Sequence, residues 1–435
     1  MLYLDSREKN FVEDLKALND IAEKNLEEVS SQVKKILDDV RALGDTKLVE
    51  YTNLYDRRYL EKAEALSLDK RALEDAYLDL EENVREALQC SLDRVKTYHE
   101  KQLIALGSGS DWSYEDEKGN VLGQQVRGME RVGIYVPGGK AAYPSTVIMT
   151  AIPARVAGVK EIVLCVPSPE GLSNKTVLAA AHMCGVDHVF TIGGAQAVAA
   201  LAFGTDSVPR VDKIVGPGSI YVAKAKELVF GKVGIDMIAG PSEVVIVADD
   251  TVDPRWVVQD MFAQAEHDEL AQAIVISANQ GVLDRVHEML PVMMREEKRK
   301  NIIKEAIQNR GALIKVRNLD EAFVVVNSIS PEHLQLSIRN ASSYVNRIRN
   351  VGAVFVGARS TEAVGDYIAG PSHVLPTNGS ARFASPLGVY DFQTRTSVVK
   401  CSDEGSIELN RIASVLALVE GLHSHSSSAS LRVEK

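Results

Sequence analysis

Three groups of residues in this 435-residue chain combine side-chain types and spacings that can do chemistry. Glu332 and His333 are adjacent, behind Pro331. A carboxylate beside an imidazole is suited to taking a proton from an alcohol or to activating water. Asp366 and His373 are seven residues apart in Gly365-Asp366-Tyr367-Ile368-Ala369-Gly370-Pro371-Ser372-His373-Val374-Leu375-Pro376-Thr377. The Gly-Pro break predicts an ordered loop that can aim both side chains at one point. Gln264 and His267 stand three apart in Gln264-Ala265-Glu266-His267-Asp268, which predicts one shared face of a helix beginning near Pro254.

Five of the nine histidines (His267, His333, His373, His423 and His425) lie near turns in the second half. Zinc takes nitrogen and oxygen ligands where thiolates are lacking, so His267, Asp366 and one tail histidine can supply three donors. The spacing is neither a zinc-finger nor an H-E-x-x-H pattern, and it does not single out Gln264. Each group also has a plainer reading. Pro-Glu-His can be an exposed charged turn, Asp366 a turn cap and His373 a half-buried polar residue.

The elements that must position these residues follow from apolar periodicity. Residues 7 to about 105 read as helical. Val29, Val33, Ile36, Leu37, Val40 and Leu43 keep the helical period and meet a stop at Gly44. A second pattern, from Asp69 to about Leu103, carries Leu73, Tyr77, Leu80, Val84, Leu88 and Leu92. Both are acidic and amphipathic and predict a structural arm. From about Gly119 short apolar runs alternate with glycine turns and helical patterns. Strand-like runs lead into Pro137-Gly138-Gly139, Gly193-Gly194-Ala195-Gln196 and Gly216-Pro217-Gly218-Ser219. This repetition predicts an α/β protein with parallel strands, whose ligands sit beyond the carboxyl ends of the strands. No G-x-G-x-x-G fingerprint is present there, so a nucleotide must be held in another way.

A second α/β unit is predicted from near Gly240, where Ala239-Gly240-Pro241-Ser242-Glu243 precedes the run Val244-Val245-Ile246-Val247-Ala248. A final helix with Ile407, Ile412, Leu416 and Val419 ends at Glu420-Gly421-Leu422-His423-Ser424-His425. The expected organisation is a helical region over 1–125 packing on the second α/β unit, a first α/β domain over 126–238, a second over 239–378, and a tail over 379–435.

The bulk composition narrows the partners. Net charge is −11, from 49 basic and 60 acidic residues, which repels nucleic acid. Cys90, Cys165, Cys184 and Cys401 form no C-x-x-C, which fits a reducing compartment better than a disulfide framework. The N-terminus carries charges where a signal peptide needs an apolar stretch, and no long apolar run predicts a membrane span. The expectation is a soluble, cytoplasmic protein.

Taken together, the motifs resemble histidinol dehydrogenase over nearly the whole chain. The matching pieces are Tyr135-Val136-Pro137-Gly138-Gly139, Gly193-Gly194-Ala195-Gln196-Ala197, Gly216-Pro217-Gly218, Ala239-Gly240-Pro241-Ser242-Glu243, Gln264-Ala265-Glu266-His267, Pro331-Glu332-His333-Leu334, the Gly365–Thr377 loop and Glu420-Gly421-Leu422-x-x-His425. The resemblance implies two Rossmann-like, incompletely doubly wound α/β domains with a helical arm and a small tail domain. It implies oxidation of L-histidinol to L-histidine through the aldehyde, with two NAD used in succession. One zinc per subunit would be held by Gln264, His267, Asp366 and His425 and would anchor the substrate's nitrogens. His333 would accept protons as hydride leaves, and Glu332 would help water attack the aldehyde. Ser242, His373 and Glu420 would touch substrate beside Gln264, His267, His333, Asp366 and His425. Tyr135, Gln196 and Ser219 would meet the cofactor. The tail would cross to a partner, so that Glu420 and His425 complete the neighbouring site of a homodimer.

Two positions depart from the family pattern. Ser219 and Ser372 stand where asparagine is usual; at Ser219 a hydrogen bond of the amide to the cofactor is lost or moved, and both changes bear on cofactor affinity and the fine shape of the pocket. Three rival readings remain open at this point. They are a relative that oxidises another small alcohol such as a sulfonated diol, a zinc hydrolase with Glu332 as base, and a non-catalytic nucleotide-binding module.

Overall fold

Strands rich in β-branched residues, each followed by a turn and a helix, build two six-stranded sheets in the computed structural model. The structure describes residues 1–19, 28–107, 111–138 and 142–433; Gly139 of the first glycine motif lies outside them.

The first sheet runs in the order Ser67–Leu68, His188–Phe190, Glu161–Cys165, Arg131–Tyr135, Lys213–Val215, Gly234–Ile235. All neighbours are parallel except Ser67–Leu68, which pairs antiparallel with His188–Phe190. The order reverses beside Arg131–Tyr135, the mark of a doubly wound sheet. Both faces are buried, so the strands alternate between two apolar cores. Ile162 and Leu164 pack with the helices Pro144–Val156 and Lys175–Met183, whereas Val163 and Cys165 pack with the helix Gly194–Phe203.

The second sheet is wholly parallel, in the order Leu2–Asp5, Gly311–Lys315, Gln272–Ser277, Glu243–Ala248, His333–Ser337, Ala353–Val356. Val244 and Ile246 enter one core, and Val245 and Val247 the other. A third, antiparallel sheet joins Gln393–Lys400, Val121–Gly128 and Trp112–Glu115. Behind it the helices Asp403–Val419 and His423–Ser430 pack on each other and leave Val415, Leu416 and Val419 exposed.

The helical arm differs from the sequence expectation in two ways. Only its start joins the second sheet: Leu2–Asp5 pairs with Gly311–Lys315, and the helix Phe11–Asn19 adds Leu15 and Leu18 to that core. The helices Ser30–Leu43 and Asp45–Tyr55 pack Val33, Ile36, Val40 and Leu48 on the first sheet instead. Amphipathicity tells which face is buried, not which surface buries it. The predicted 69–103 pattern is also two helices, Lys70–Leu78 and Glu82–Ala105, separated at Asp79-Leu80-Glu81. The Gly44 stop stands, with φ of 52° after Leu43.

Among the described residues no helix is long and apolar enough to cross a membrane, and all four cysteines are free thiols. Phe262, on the helix Pro254–Ala265, is buried in the core of the second unit. We expect Phe262→Ala to cost about 3–5 kcal/mol of stability, read as a lower urea midpoint at unchanged slope.

Candidate active site and metal centre

The helix Pro254–Ala265 starts with proline at its first turn and an Asp253 cap, and ends with Gln264 fully buried. His267 lies beyond the helix end, so the expected shared helix face is replaced by a turn in which His267 N–H donates to Gln264 O at 3.3 Å. The chain must leave the helix here because Asp268 turns it toward Gln272–Ser277, its Oδ1 accepting from Leu270 N at 3.1 Å.

The strand His333–Ser337 sends Leu334 and Leu336 into the apolar core and His333 and Gln335 to the opposite face. Against that face stands the short helix Glu362–Tyr367, which carries Glu362 and Asp366 one turn apart. The hydrogen-bond network orients two amides onto Glu362. Gln264 N lies 2.8 and 3.0 Å from the two Glu362 oxygens, and Gln335 O accepts from Glu362 N at 3.2 Å while its amide nitrogen meets Asp260 at 2.7 Å. His267, Glu362 and Asp366 each offer one ligand atom, all within 4.8 Å of one another. Two carboxylates and an imidazole, with the Gln264 amide oxygen left to accept or ligate, suit a borderline divalent cation such as zinc.

Glu332 and His333 are both held by the backbone of one residue. Glu332 Oε2 accepts from Glu243 N at 3.0 Å, and His333 Nδ1 meets Glu243 O at 3.1 Å. A carbonyl only accepts, so Nδ1 carries the proton and Nε2 carries the lone pair. That Nε2 has no hydrogen-bond partner and lies 3.7 Å from Asp366 Oδ1. Glu332 Oε2 is 3.7 Å from His333 Nδ1. Glu243 and His333 both open their strands, so this cluster sits at the amino ends of the second sheet. The glycine turns at Gly193 and Gly216 follow the expected rule, at the carboxyl ends of the first sheet.

His373 joins the cluster to the first unit. Its Nδ1 lies 3.1 Å from Asp366 O and its Nε2 3.1 Å from Thr146 Oγ1. Ser372 donates its hydroxyl to Met149 O at 3.0 Å and accepts from Val374 N at 3.2 Å.

Burial dominates the electrostatics. Desolvation pushes Glu332 and Glu362 well above the usual carboxylate range, and neighbouring carboxylates add to it. Asp366 and Asp260 are each raised to about 7 by burial. Glu243 also reaches about 7, although Arg310 pulls it down from 3.6 Å. His333 and His373 are lowered to about 3 and about 4 by the same desolvation, so both imidazoles are neutral at pH 7. Among the described residues no lysine or arginine pairs with Glu332, Glu362 or Asp366. A buried acidic cluster of this kind is stabilised by a cation.

The structure thus brings together Gln264, His267, Glu332, His333, Asp366 and His373. Ser242 adjoins them, half-buried, with its carbonyl accepting from Gln272 N at 2.9 Å. Glu420 and His425 do not meet them within the chain; both are exposed on the tail. On the first unit Tyr135 is buried and its hydroxyl accepts from Gly194 N at 3.1 Å. Gln196 is buried with neither amide atom hydrogen-bonded, an orphaned group of the kind a bound polar ligand satisfies. Ser219 is exposed before the helix Ile220–Val229 and makes no side-chain cap.

Sequence reasoning missed Glu362, Glu243 and Arg310. Glu362 was findable as a carboxylate one helical turn before Asp366. Glu243 ended a motif already noted. Arg310 gave no signal, because its burial depends on packing alone.

Comparison with known proteins agrees across the chain. The histidinol dehydrogenase family model matches residues 20–433. The histidinol dehydrogenase of Chromobacterium violaceum is 51% identical over 434 residues, covering 100% of this chain and 99% of that protein. That of Burkholderia pseudomallei is 52% identical over 435 residues, covering 99% and 97%. The crystal structure of histidinol dehydrogenase from Elizabethkingia anophelis superposes with a TM-score of 0.90 at 30% identity, covering 100% of this chain and 98% of that one.

Glu362 offers a test of the acidic cluster. Its folded-state carboxyl holds its proton above the unfolded value of 4.5, so its ionisation costs native stability as pH rises past that value, and costs nothing below it. In chelator, Glu362→Gln should melt with the parent near about pH 4 and above it at about pH 7–8. Its zinc affinity should fall by about 10–100-fold in a competition titration. An equal melting difference at every pH would remove the buried carboxylate as the cause.

Proposed function

The chain belongs to the histidinol dehydrogenase family, and we propose that it oxidises L-histidinol to L-histidine through the aldehyde, reducing two NAD in succession at one site. The observation that carries the reading is the bare Nε2 lone pair of His333, aimed into the acidic cluster beside a buried Glu332.

Gln264, His267 and Asp366 hold the zinc, with His425 of a second copy as the remaining ligand. Zinc, when bound, supplies a Lewis acid that anchors the nitrogens of the substrate. His333 Nε2 takes the hydroxyl proton as the carbinol carbon gives its hydride to the nicotinamide. The desolvation that keeps this imidazole neutral keeps the lone pair ready at pH 7. Glu332 in its ionised form, made a stronger base by its raised carboxyl pKa, then takes a proton from the water that adds to the aldehyde, and the hydrate loses a second hydride by the same route. Two hydrides leave for two NAD, and the product carboxylate carries the oxygen from water. Ser242, His373 and the partner's Glu420 orient the substrate.

The unit over 126–238 is the NAD side, with Tyr135, Gln196 and Ser219 as contacts, and 239–378 is the metal and acid/base side. The 379–435 tail crosses to a second copy in a homodimer. The exposed apolar face of Asp403–Val419 supports that reading, as does the exposure of Glu420 and His425 within one chain. The enzyme works in the cytoplasm, where its four thiols stay reduced, and its charge of −11 disfavours nucleic acid. A zinc hydrolase would leave the orphaned Gln196 amide beside the first sheet without a role.

The stoichiometry is the first test. Two NADH should form per L-histidinol with zinc restored, and none after chelation; a ratio of one would stop the chemistry at the aldehyde. Glu332→Gln should slow aldehyde oxidation by about 10²–10⁴-fold and alcohol oxidation less, in single-turnover assays from each substrate. Mixed with His425→Ala subunits, it should regain activity, because one site of the mixed dimer then has both residues intact. No regain would argue against a crossing tail.

A further inference from the structure

A buried ion pair in the first unit takes no part in the chemistry above. Lys226, on the helix Ile220–Val229, and Asp236, just past the strand Gly234–Ile235, form a close ion pair with side chains only 2% and 1% exposed. Both grip one residue. Lys226 Nζ donates to Gly216 O at 2.9 Å, and Asp236 Oδ2 accepts from Gly216 N at 2.7 Å. Asp236 Oδ1 also accepts from Met237 N at 2.7 Å, which ties the grip to the chain leading into the second unit.

Gly216 directly follows the strand Lys213–Val215, at the carboxyl end of the first sheet beside its reversal point. Its φ is 111°, and a Cβ there would lie 2.1 Å from Tyr135 O. The turn is therefore pressed onto the backbone of one cofactor-side residue and runs through Pro217 and Gly218 to another, Ser219. Stability alone does not account for the pair. A buried ion pair loses so much hydration that apolar residues of similar volume usually serve as well.

We propose that Lys226 and Asp236 are positioning residues for the dinucleotide: they fix the peptides on both sides of Gly216, and so the spacing of Tyr135 and Ser219 across the cofactor cleft. The proposal rests on the reading of 126–238 as the NAD side. It assigns the pair a role in cofactor affinity, apart from zinc and from the alcohol.

The test replaces both partners at once, as Lys226→Met with Asp236→Leu, so that no unpaired buried charge remains. In the zinc-loaded dimer we expect KM and Kd for NAD to rise about tenfold, with kcat at saturating NAD, KM for histidinol and zinc content near those of the parent. A folded double variant with unchanged KM for NAD would overturn the proposal, as would a loss confined to kcat. If the double variant does not fold, hydrogen exchange on the unaltered enzyme decides. Saturating NAD should slow amide exchange across 216–222, and no slowing there would overturn the proposal. A parent enzyme that binds no NAD at all would instead bring down the cofactor reading itself, and that measurement is separate from the variant's.

Discussion

The backbone of Glu243 is the constraint on which the site depends. Its N–H holds the Glu332 carboxyl group and its carbonyl sets the tautomer of His333, so the geometry of these two side chains is a by-product of strand pairing. The parallel register places Val244 opposite His333. A slip of one residue would turn His333 into the apolar core and break both contacts. The Glu243 side chain is anchored in turn, accepting from Asn378 N at 3.3 Å and facing a fully buried Arg310 that donates to Leu270 O at 2.7 Å.

From that anchor the electrostatics follow. The same lack of water raises the carboxyls and lowers the imidazoles, so one environment prepares a neutral base and a cluster of acids that resist ionising. Gln264 and Gln335 donate or accept around Glu362 and so satisfy part of its polarity, and a cation bound there would relieve the repulsion among the acids.

The two units are held in fixed relation by the segment that runs from Asp366, on the helix Glu362–Tyr367, to His373. Ser372 and His373 bind the helix Pro144–Val156 through Met149 and Thr146. Ser91 and Arg94, on Glu82–Ala105, donate to the carbonyls of Tyr367 and Ile368 at 2.6 Å each. The arm thus works as a brace between the first unit and the second. Serine at 372 is accommodated here because its short hydroxyl reaches Met149 O directly.

Much of this was legible in the order of residues. Period-two and period-3.6 patterns set the strands and most helices, and the adjacency of Glu332 and His333, the Gly-Pro loop and the glycine turns marked the chemistry, because local sterics and hydrophobic burial act over a few residues. What needed the fold was every relation between distant segments. Residues 28–107 pack mainly on the first sheet, His267 falls past its helix, and the cluster of Glu332, His333 and Asp366 gathers at the amino ends of the second sheet. Glu362 and Arg310 acquire meaning only there, since a carboxylate or guanidinium is ordinary on a surface and consequential once packing removes its water. The sequence by itself determined which groups were present. Tertiary structure decided which of them share one dry pocket, because burial and distance, unlike residue type, are properties of the packed chain.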